Sequence, residues 1–201
     1  MNMIAQAVIN NQTFSVTEIG QGDQLLKQYW QTRTSIWTYK YPEVAGADGF
    51  ERDQFDFNSS VLVLIEGVSQ VIAGTRLIHA DSVAGLPIAS CARVQLPGKA
   101  VEVSRFFFTP TKGTNAQDVE QQFKLFIYGI VTYLKGQSYE RAHATIRSSL
   151  FEKLRTLGVP LLRNGPDQLH GGKSFVPSMM FETDPNFVRV QDQPDRQRLT
   201  A

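Results

Sequence analysis

Cysteine is almost absent: Cys91 is the single thiol in 201 residues. One thiol excludes an internal disulfide and a cysteine-based zinc site, and it reads as a buried spectator in a reducing compartment. The three histidines, His79, His143 and His170, lie too far apart for metal-ligand spacing, so a metal site is not expected. No stretch approaches the ~20 consecutive apolar residues that a membrane-spanning helix needs. Residues 1–11 lack the basic-then-apolar order of a signal peptide, and a cytoplasmic location is the expectation. An excess of charge of one sign is missing too. The chain has 20 Lys and Arg against 19 Asp and Glu, which removes any bulk attraction to nucleic acid or to an anionic membrane. The glycine-rich nucleotide loops and the Gly-x-Ser-x-Gly elbow are also absent.

What is present is the pattern of one globular domain able to bury a substantial core, over about residues 20–183, with a polar, proline-containing and loose tail at 184–201. A short strand is expected at 7–9 or 14–19. Leu25, Leu26, Tyr29, Trp30, Arg33, Ile36 and Trp37 recur every three or four residues and predict a helix over 23–39. As an isolated feature, Arg33 reads as an edge residue whose stem snorkels. Residues 60–66 and 70–79 predict an antiparallel hairpin, 81–98 a long connection, and 99–109 a third strand. Asn115 and Asp118 are suited to cap a helix with a buried face of Val119, Phe123, Phe126, Ile127, Ile130 and Leu134. Lys112 to Asn115 at its start offers free N–H groups as well as a capped turn. A strand at 141–147, a helix at 148–157 closed by Gly158, and strands at 159–162 and 174–181 complete the order. That order predicts an α+β, three-layer plan with a mostly antiparallel sheet.

Two charged clusters interrupt this apolar pattern. One is Glu51-Arg52-Asp53-Gln54-Phe55-Asp56, and the other is Glu102-Val103-Ser104-Arg105, with Arg76 on a strand between them. Burying charge is costly unless it is paired, so charges in and beside predicted strands mark a site. Strand alternation puts Glu102 and Ser104 on one face, and Val103 and Arg105 on the other. An acid and a hydroxyl projecting together can serve as a general base and an orienting group. Two close carboxylates, Asp53 and Asp56, suit an amine or sulfonium cation, or an arginine such as Arg76. The bland readings, a solvated strand face and a capped turn, remain open at this level.

Taken together these residues resemble the acyl-homoserine lactone synthases of the LuxI type. The family's Glu-x-Asp-x-Phe/Tyr-Asp is matched by residues 51–56, its hairpin arginine by Arg76, and its Glu-x-Ser-Arg-Phe by residues 102–106. The amino-terminal Arg-x-x-x-Phe is matched by Arg33 to Trp37, with tryptophan for phenylalanine. A strand ending at Thr145, a helix, Gly158, and Arg163-Asn164-Gly165-Pro166 follow in the family's order. Residues 78–83, Ile-His-Ala-Asp-Ser-Val, replace the usual Thr-Thr-x-Pro-x-Met-Leu.

The resemblance implies an N-acetyltransferase-like α/β/α sandwich, with helices on both faces of a twisted sheet. It implies an acyltransferase that joins the amine of S-adenosylmethionine to an acyl group from acyl carrier protein, or less often acyl-CoA. Lactone closure then releases methylthioadenosine, and the product is a quorum-sensing signal. S-adenosylmethionine is a substrate in this scheme, and no separate cofactor enters. Glu102, Ser104 and Arg105 would be catalytic, with backbone N–H groups after Arg105 receiving the oxyanion. Arg33, Trp37, Asp53, Asp56, Arg76 and Phe106 would form the S-adenosylmethionine side. Val103, Phe107, Phe126, Ile130, Thr145 and Ile146 would line the acyl chain, and the Thr145 hydroxyl would bond a 3-oxo group. Lys124, Arg147, Lys153 and Arg155 would meet the acidic carrier protein. The departure at 78–83 leaves room for an alternative, an N-acyl amino acid synthase that transfers the acyl group without closing a lactone.

Overall fold

The structure, a computed structural model, describes residues 1–40, 46, 48–91, 97–170 and 172–181. The tail expected at 184–201, most of the 41–49 loop and residues 92–96 of the long connection lie outside the described residues. Two compact units divide the chain: residues 1–79 with 103–136, and residues 80–102 with 137 onward.

In the first unit, β1 (Asn2–Ile9) and β2 (Gln12–Ile19) form an antiparallel hairpin, where one short strand is expected from the sequence. Its two-residue turn is Asn10-Asn11, with φ of 50° and 62°. A two-residue hairpin turn of this hand needs φ > 0 at both positions, which asparagine tolerates better than most residues. β3 (Ser59–Glu66) pairs antiparallel with β2 on one side and with β4 (Gln70–Ser82) on the other. The second half of β5 (Pro97–Phe108) follows β4 in the strand order. α1 (Gln24–Lys40) starts where Asp23 accepts the Leu25 N–H at 2.9 Å. It packs Leu25, Leu26 and Tyr29 against Ile19, Val61, Val63, Ile65, Val71 and Phe107. α2 (Ala116–Gly136) covers the other face: Phe123 and Phe126 meet Phe106, and Tyr133 donates to Glu18 at 2.8 Å. The expected cap is formed, with the Asp118 N–H donating to Asn115 Oδ1 at 2.9 Å. This unit therefore has helices on both faces of its sheet, as expected.

The second unit contains the first half of β5, which pairs in parallel with β6 (Arg141–Arg147). β6 pairs antiparallel with β9 (Lys173–Phe181), which also carries β7 (Leu162–Arg163) and β8 (Gln168–His170). α3 (Ser148–Thr156) follows β6. The strand expected at 159–162 is reduced to β7, two residues displaced toward the Asn164 turn, and β8 is unforeseen. The connection expected at 81–98 is partly ordered packing. β4 runs on to Ser82, and two 3-10 turns over Val83–Gly85 and Pro87–Ser90 bury Val83, Leu86 and Ile88. Periodicity does not reveal such short turns. Among the described residues no helix is long and apolar enough to cross a membrane.

The α2 layer approaches the sheet closely at Gly129, where a Cβ would lie 2.5 Å from Val16 Cγ1. Gly129→Ala should therefore destabilise the protein by about 1–3 kcal/mol through overpacking, although alanine is the better helix former by about 1 kcal/mol. A urea midpoint at or above that of the parent would show that the helix can back away from β2.

Candidate functional site

Glu51, Asp53 and Asp56 of the first charged cluster meet Arg105 of the second, with Arg33 and Arg76, in the first unit as a closed ring of ion pairs. Arg33, on the buried stripe of α1, is fully buried, which overturns its reading as a snorkelling edge residue. Its Nη1 and Nη2 grip Asp56 Oδ1 and Oδ2 at 2.5 and 2.9 Å, and its Nε donates to Glu51. Asp56 Oδ2 also accepts from Arg76 Nη1 at 2.9 Å. Arg76, on β4, holds Asp53 with two nitrogens at 2.6 and 3.1 Å. Arg105, on β5, closes the circle, with Nη2 at 3.2 Å from Asp53 and Nε at 2.9 Å from Glu51. Three guanidiniums thus alternate with three carboxylates, and the charges cancel.

Local structure presents the acids in the right order. Asp53 caps a 3-10 turn over Gln54–Asn58: it accepts the Phe55 N–H at 2.9 Å, while its own N–H donates to Asp56 Oδ2 at 2.8 Å. The Glu51 N–H donates to Thr34 Oγ1 at 2.8 Å, which ties the segment to α1. The ring is not equally buried all round. The Asp53 and Arg105 side chains are 31% and 26% exposed, whereas Glu51 and Asp56 are at most 5% exposed. Trp37 lies under Arg105, with the guanidinium carbon 5.1 Å from the ring centre. The open corner is therefore Asp53, Arg105 and Trp37. Both acids have both oxygens engaged by the chain's own donors, and they differ in exposure: the Asp56 side chain is enclosed, whereas Asp53 stands at the open corner.

Charges respond to this enclosure. Burial alone would lower the Arg33 pKa, but the hydrogen-bonded carboxylates and the Tyr29 hydroxyl, 3.4 Å from Nη1, push it above its ordinary value. Burial works the other way on Asp56, yet its hydrogen bond to Arg33 and the charges of Arg33 and Arg76 hold it below the usual carboxylate range. Desolvation raises Tyr29.

Ser104 and Arg105 depart from the expected alternation. Ser104 Oγ accepts from Arg76 Nε at 3.1 Å, so Ser104 and Arg105 both face the ring. The cause is the backbone of Arg105, which has φ of +53°, outside strand geometry and uncommon for a residue with a side chain. Beside it, the Ser104 carbonyl accepts from the buried Thr75 hydroxyl at 2.9 Å. Past the irregularity the phase is shifted. Phe106 packs on Phe123 and Phe126 toward α2, and Phe107 stacks on Tyr29 with ring centres 5.7 Å apart. Phe106, expected beside the ring, thus sits with the α2 side chains, and Phe107, expected in the acyl lining, sits under α1. Phe126 and Ile130 are buried on α2, and Val103 is half-buried.

In the second unit Glu102 is 5% exposed and accepts the Ile88 N–H at 2.7 Å. Its register partner on β6 is His143, and Thr145 lies two residues further along the same face. Thr145 Oγ1 is 4.0 Å from Cys91 Sγ. Ile146 points to the opposite face, so Thr145 and Ile146 do not line one surface together. Burial, with Arg141 adding to it, lowers the His143 pKa to about 4. Glu51 appeared in the sequence motif without a role, and Tyr29, Thr75, His143 and Asn164 were missed. Thr75, His143 and Asn164 find their partners on other elements, which carries no local signal, whereas Tyr29 meets Arg33 one turn along α1, a spacing the sequence does show. Of the basic residues expected to meet a carrier protein, Lys124 pairs with Glu120 at 2.8 Å and Arg155 with Glu152 at 4.0 Å, all exposed.

No protein-family model matches the sequence, and no curated protein matches it. Solved structures do match. BjaI, a CoA-dependent acyl-homoserine lactone synthase solved with MTA and with SAM and isopentyl-CoA, has a TM-score of 0.71 at 17% identity. That match covers 88% of this chain and 87% of BjaI. The AHL synthase LasI has a TM-score of 0.70 at 14% identity, over 89% of this chain and 94% of LasI. FeeM, an N-acyl amino acid synthase from uncultured soil microbes, has a TM-score of 0.54 at 11% identity, over 83% and 91% of the two chains. The chain has the α+β, N-acetyltransferase-like fold that these proteins share.

Breaking the ring at its buried end should be costly. Arg33→Met leaves Asp56 and Glu51 enclosed without their principal cation and should lose about 3–5 kcal/mol in urea unfolding. Asp53→Asn, at the open corner, should lose far less, and equal losses would show the ring to be uniformly solvated.

His143 supplies a pH test. With a folded pKa of about 4 against 6.5 in the unfolded chain, only the unfolded chain takes the proton between these values. Its contribution is complete above pH 6.5 and falls by roughly 3 kcal/mol as the pH drops to 4. The stability difference between the parent and His143→Phe should change by that amount across this window. A constant difference would place the imidazole in water.

Proposed function

We propose that this protein is an acyl-homoserine lactone synthase, an acyltransferase that acylates the amine of S-adenosylmethionine and closes a lactone with release of methylthioadenosine. The observation that carries this reading is the ring Arg33–Asp56–Arg76–Asp53–Arg105–Glu51, assembled from the residues that match the family's motifs and open at one corner. An open corner that presents an acid and a guanidinium is suited to a substrate that carries both positive and negative groups. Asp53 can face the sulfonium, and Arg105, stacked on Trp37, can face the carboxylate.

The amine arrives as an ammonium and must lose a proton before it attacks the thioester. Glu102 takes that role, two residues before Ser104 on the same strand. The thioester oxygen gains charge as the amine adds, and the backbone N–H groups flanking Arg105 are the donors in this reading, because the left-handed residue turns them out of regular strand geometry. Phe126, Ile130 and Val103 supply apolar surface for the acyl chain. Thr145 contributes a hydroxyl for an oxygen on the third carbon. The donor is an acyl carrier protein thioester or acyl-CoA, and the CoA dependence of BjaI supports including the latter.

A second reading, an N-acyl amino acid synthase, is favoured by the changed 78–83 segment and by the likeness to FeeM. The two readings differ in the leaving group. With S-adenosylmethionine and a range of acyl-CoA and acyl carrier protein thioesters, the first predicts methylthioadenosine and a lactone by mass spectrometry. An open-chain acyl amino acid without methylthioadenosine supports the second. Within the first reading, Glu102→Gln should lower kcat at least about a hundredfold with the fold retained. Asp53→Asn should chiefly raise KM for S-adenosylmethionine. Wild-type turnover by Glu102→Gln would remove Glu102 as the base.

A further inference from the structure

Beside Glu102 stands a buried imidazole that the scheme above leaves unused. Glu102 and His143 are partners in the parallel β5–β6 register, so their side chains stand next to each other on one face of the sheet. His143 is 2% exposed. The Asn164 side-chain amide nitrogen lies 3.4 Å from Nδ1 and donates to it, which leaves the proton of the neutral ring on Nε2. Asn164 is itself buried and anchored, its N–H donating to the Pro177 carbonyl at 2.7 Å. The second ring nitrogen, Nε2, is buried and has no hydrogen-bond partner among the described residues. Buried polar groups are nearly always paired, and an orphaned one next to a reactive carboxylate points to a partner that arrives with the reaction.

We propose that His143 is a positioning residue for Glu102: its Nε2–H holds a water that the Glu102 carboxylate also engages, and aims that water at the incoming ammonium. The inference rests on the synthase reading above. In the proton transfer the ammonium N–H bond breaks and its proton passes to the water oxygen. A proton of that water passes to the Glu102 carboxylate, and the freed amine lone pair attacks the thioester carbon. His143 neither gains nor loses a proton. A neutral ring is what this task needs, because an imidazolium beside Glu102 would hold the carboxylate in its ionised form and weaken it as a base. The depressed basicity of His143 keeps the ring neutral at the pH of the reaction. Thr145, on the same face, lies beyond the pair and is not required for the relay.

The test compares the parent with Glu102→Gln, His143→Gln and His143→Asn, in the full chain, by methylthioadenosine release at saturating acyl donor. Glutamine carries an amide N–H close to the position of Nε2, whereas asparagine reaches only as far as Nδ1. His143→Gln should keep kcat within about threefold. His143→Asn should lose about tenfold or more in kcat, with KM for S-adenosylmethionine changed less than about twofold. The ring nitrogen chemical shifts of the parent, read by NMR, should report a neutral ring protonated at Nε2. Full kcat in His143→Asn, equal losses in both His143 variants, a change confined to KM, or a proton on Nδ1 would each overturn the proposal. If Glu102→Gln is inactive and His143→Asn is not, the positioning role alone fails. If the parent releases no methylthioadenosine, or Glu102→Gln keeps its rate, the synthase reading fails and this inference with it.

Discussion

One buried guanidinium organises the first unit. Arg33 sits on the apolar stripe of α1, among side chains that bury hydrocarbon, and a lone charge there would be untenable. It is tenable because Glu51 and Asp56 come to it from the following segment, and because those acids are in turn shared with Arg105 and Arg76. The segment from Glu51 to Asp56 therefore takes its shape from the cations it must satisfy. The 3-10 turn, the capping box of Asp53 and the anchor of Glu51 on Thr34 are the local means. Such a network is a poor source of net stability, since desolvation offsets much of the attraction. What it supplies is geometry: α1, β4 and β5 are locked to one polar layer with a single open corner.

The same layer explains the irregularity in β5. A regular strand would send Ser104 and Arg105 to opposite faces, and the ring would lack its third cation. The left-handed backbone at Arg105 brings both side chains to one face, and Thr75 compensates by donating to the Ser104 carbonyl. Placing a residue with a side chain in this region costs free energy of order 1 kcal/mol or more. The pairing of Arg105 with Glu51 and Asp53 offsets that cost. A strained backbone position, an ion-pair corner and an aromatic platform at Trp37 thus coincide, as expected where a site has been built at some expense to the fold.

The second unit follows a different logic. There the polar groups Glu102, His143, Asn164 and Thr145 are set among the strands β5, β6 and β9 and the turns that precede and follow them, with Glu102 accepting the Ile88 N–H and Asn164 beside His143. The ring in the first unit is saturated except at its open corner and serves to hold a shape. The cluster around Glu102 includes a buried ring nitrogen, Nε2 of His143, with no hydrogen-bond partner among the described residues.

Much of this was legible in the amino-acid order. The stripes of α1 and α2, the apolar run of β3 with the turn that pairs it to β4, the Asn115 cap and the charged clusters are all local patterns. The resemblance carried by residues 51–56, Arg76 and 102–106 pointed to the same class of fold that the solved relatives have. Other features were beyond local reading. The Asn10-Asn11 turn went unread because a two-residue loop is too short to shift the periodicity. The different exposure of Asp53 and Asp56 depends on how α1 and β4 enclose them, and the phase shift at Arg105 depends on a backbone angle set by partners on other elements. The pairing of Glu102 with His143 is a matter of strand register across forty-one residues. Periodicity within the chain determined which elements form and which charges need partners. Only tertiary structure decided which partners they find, because the cost of burying a charge is met by groups distant in sequence, and their positions are set by packing.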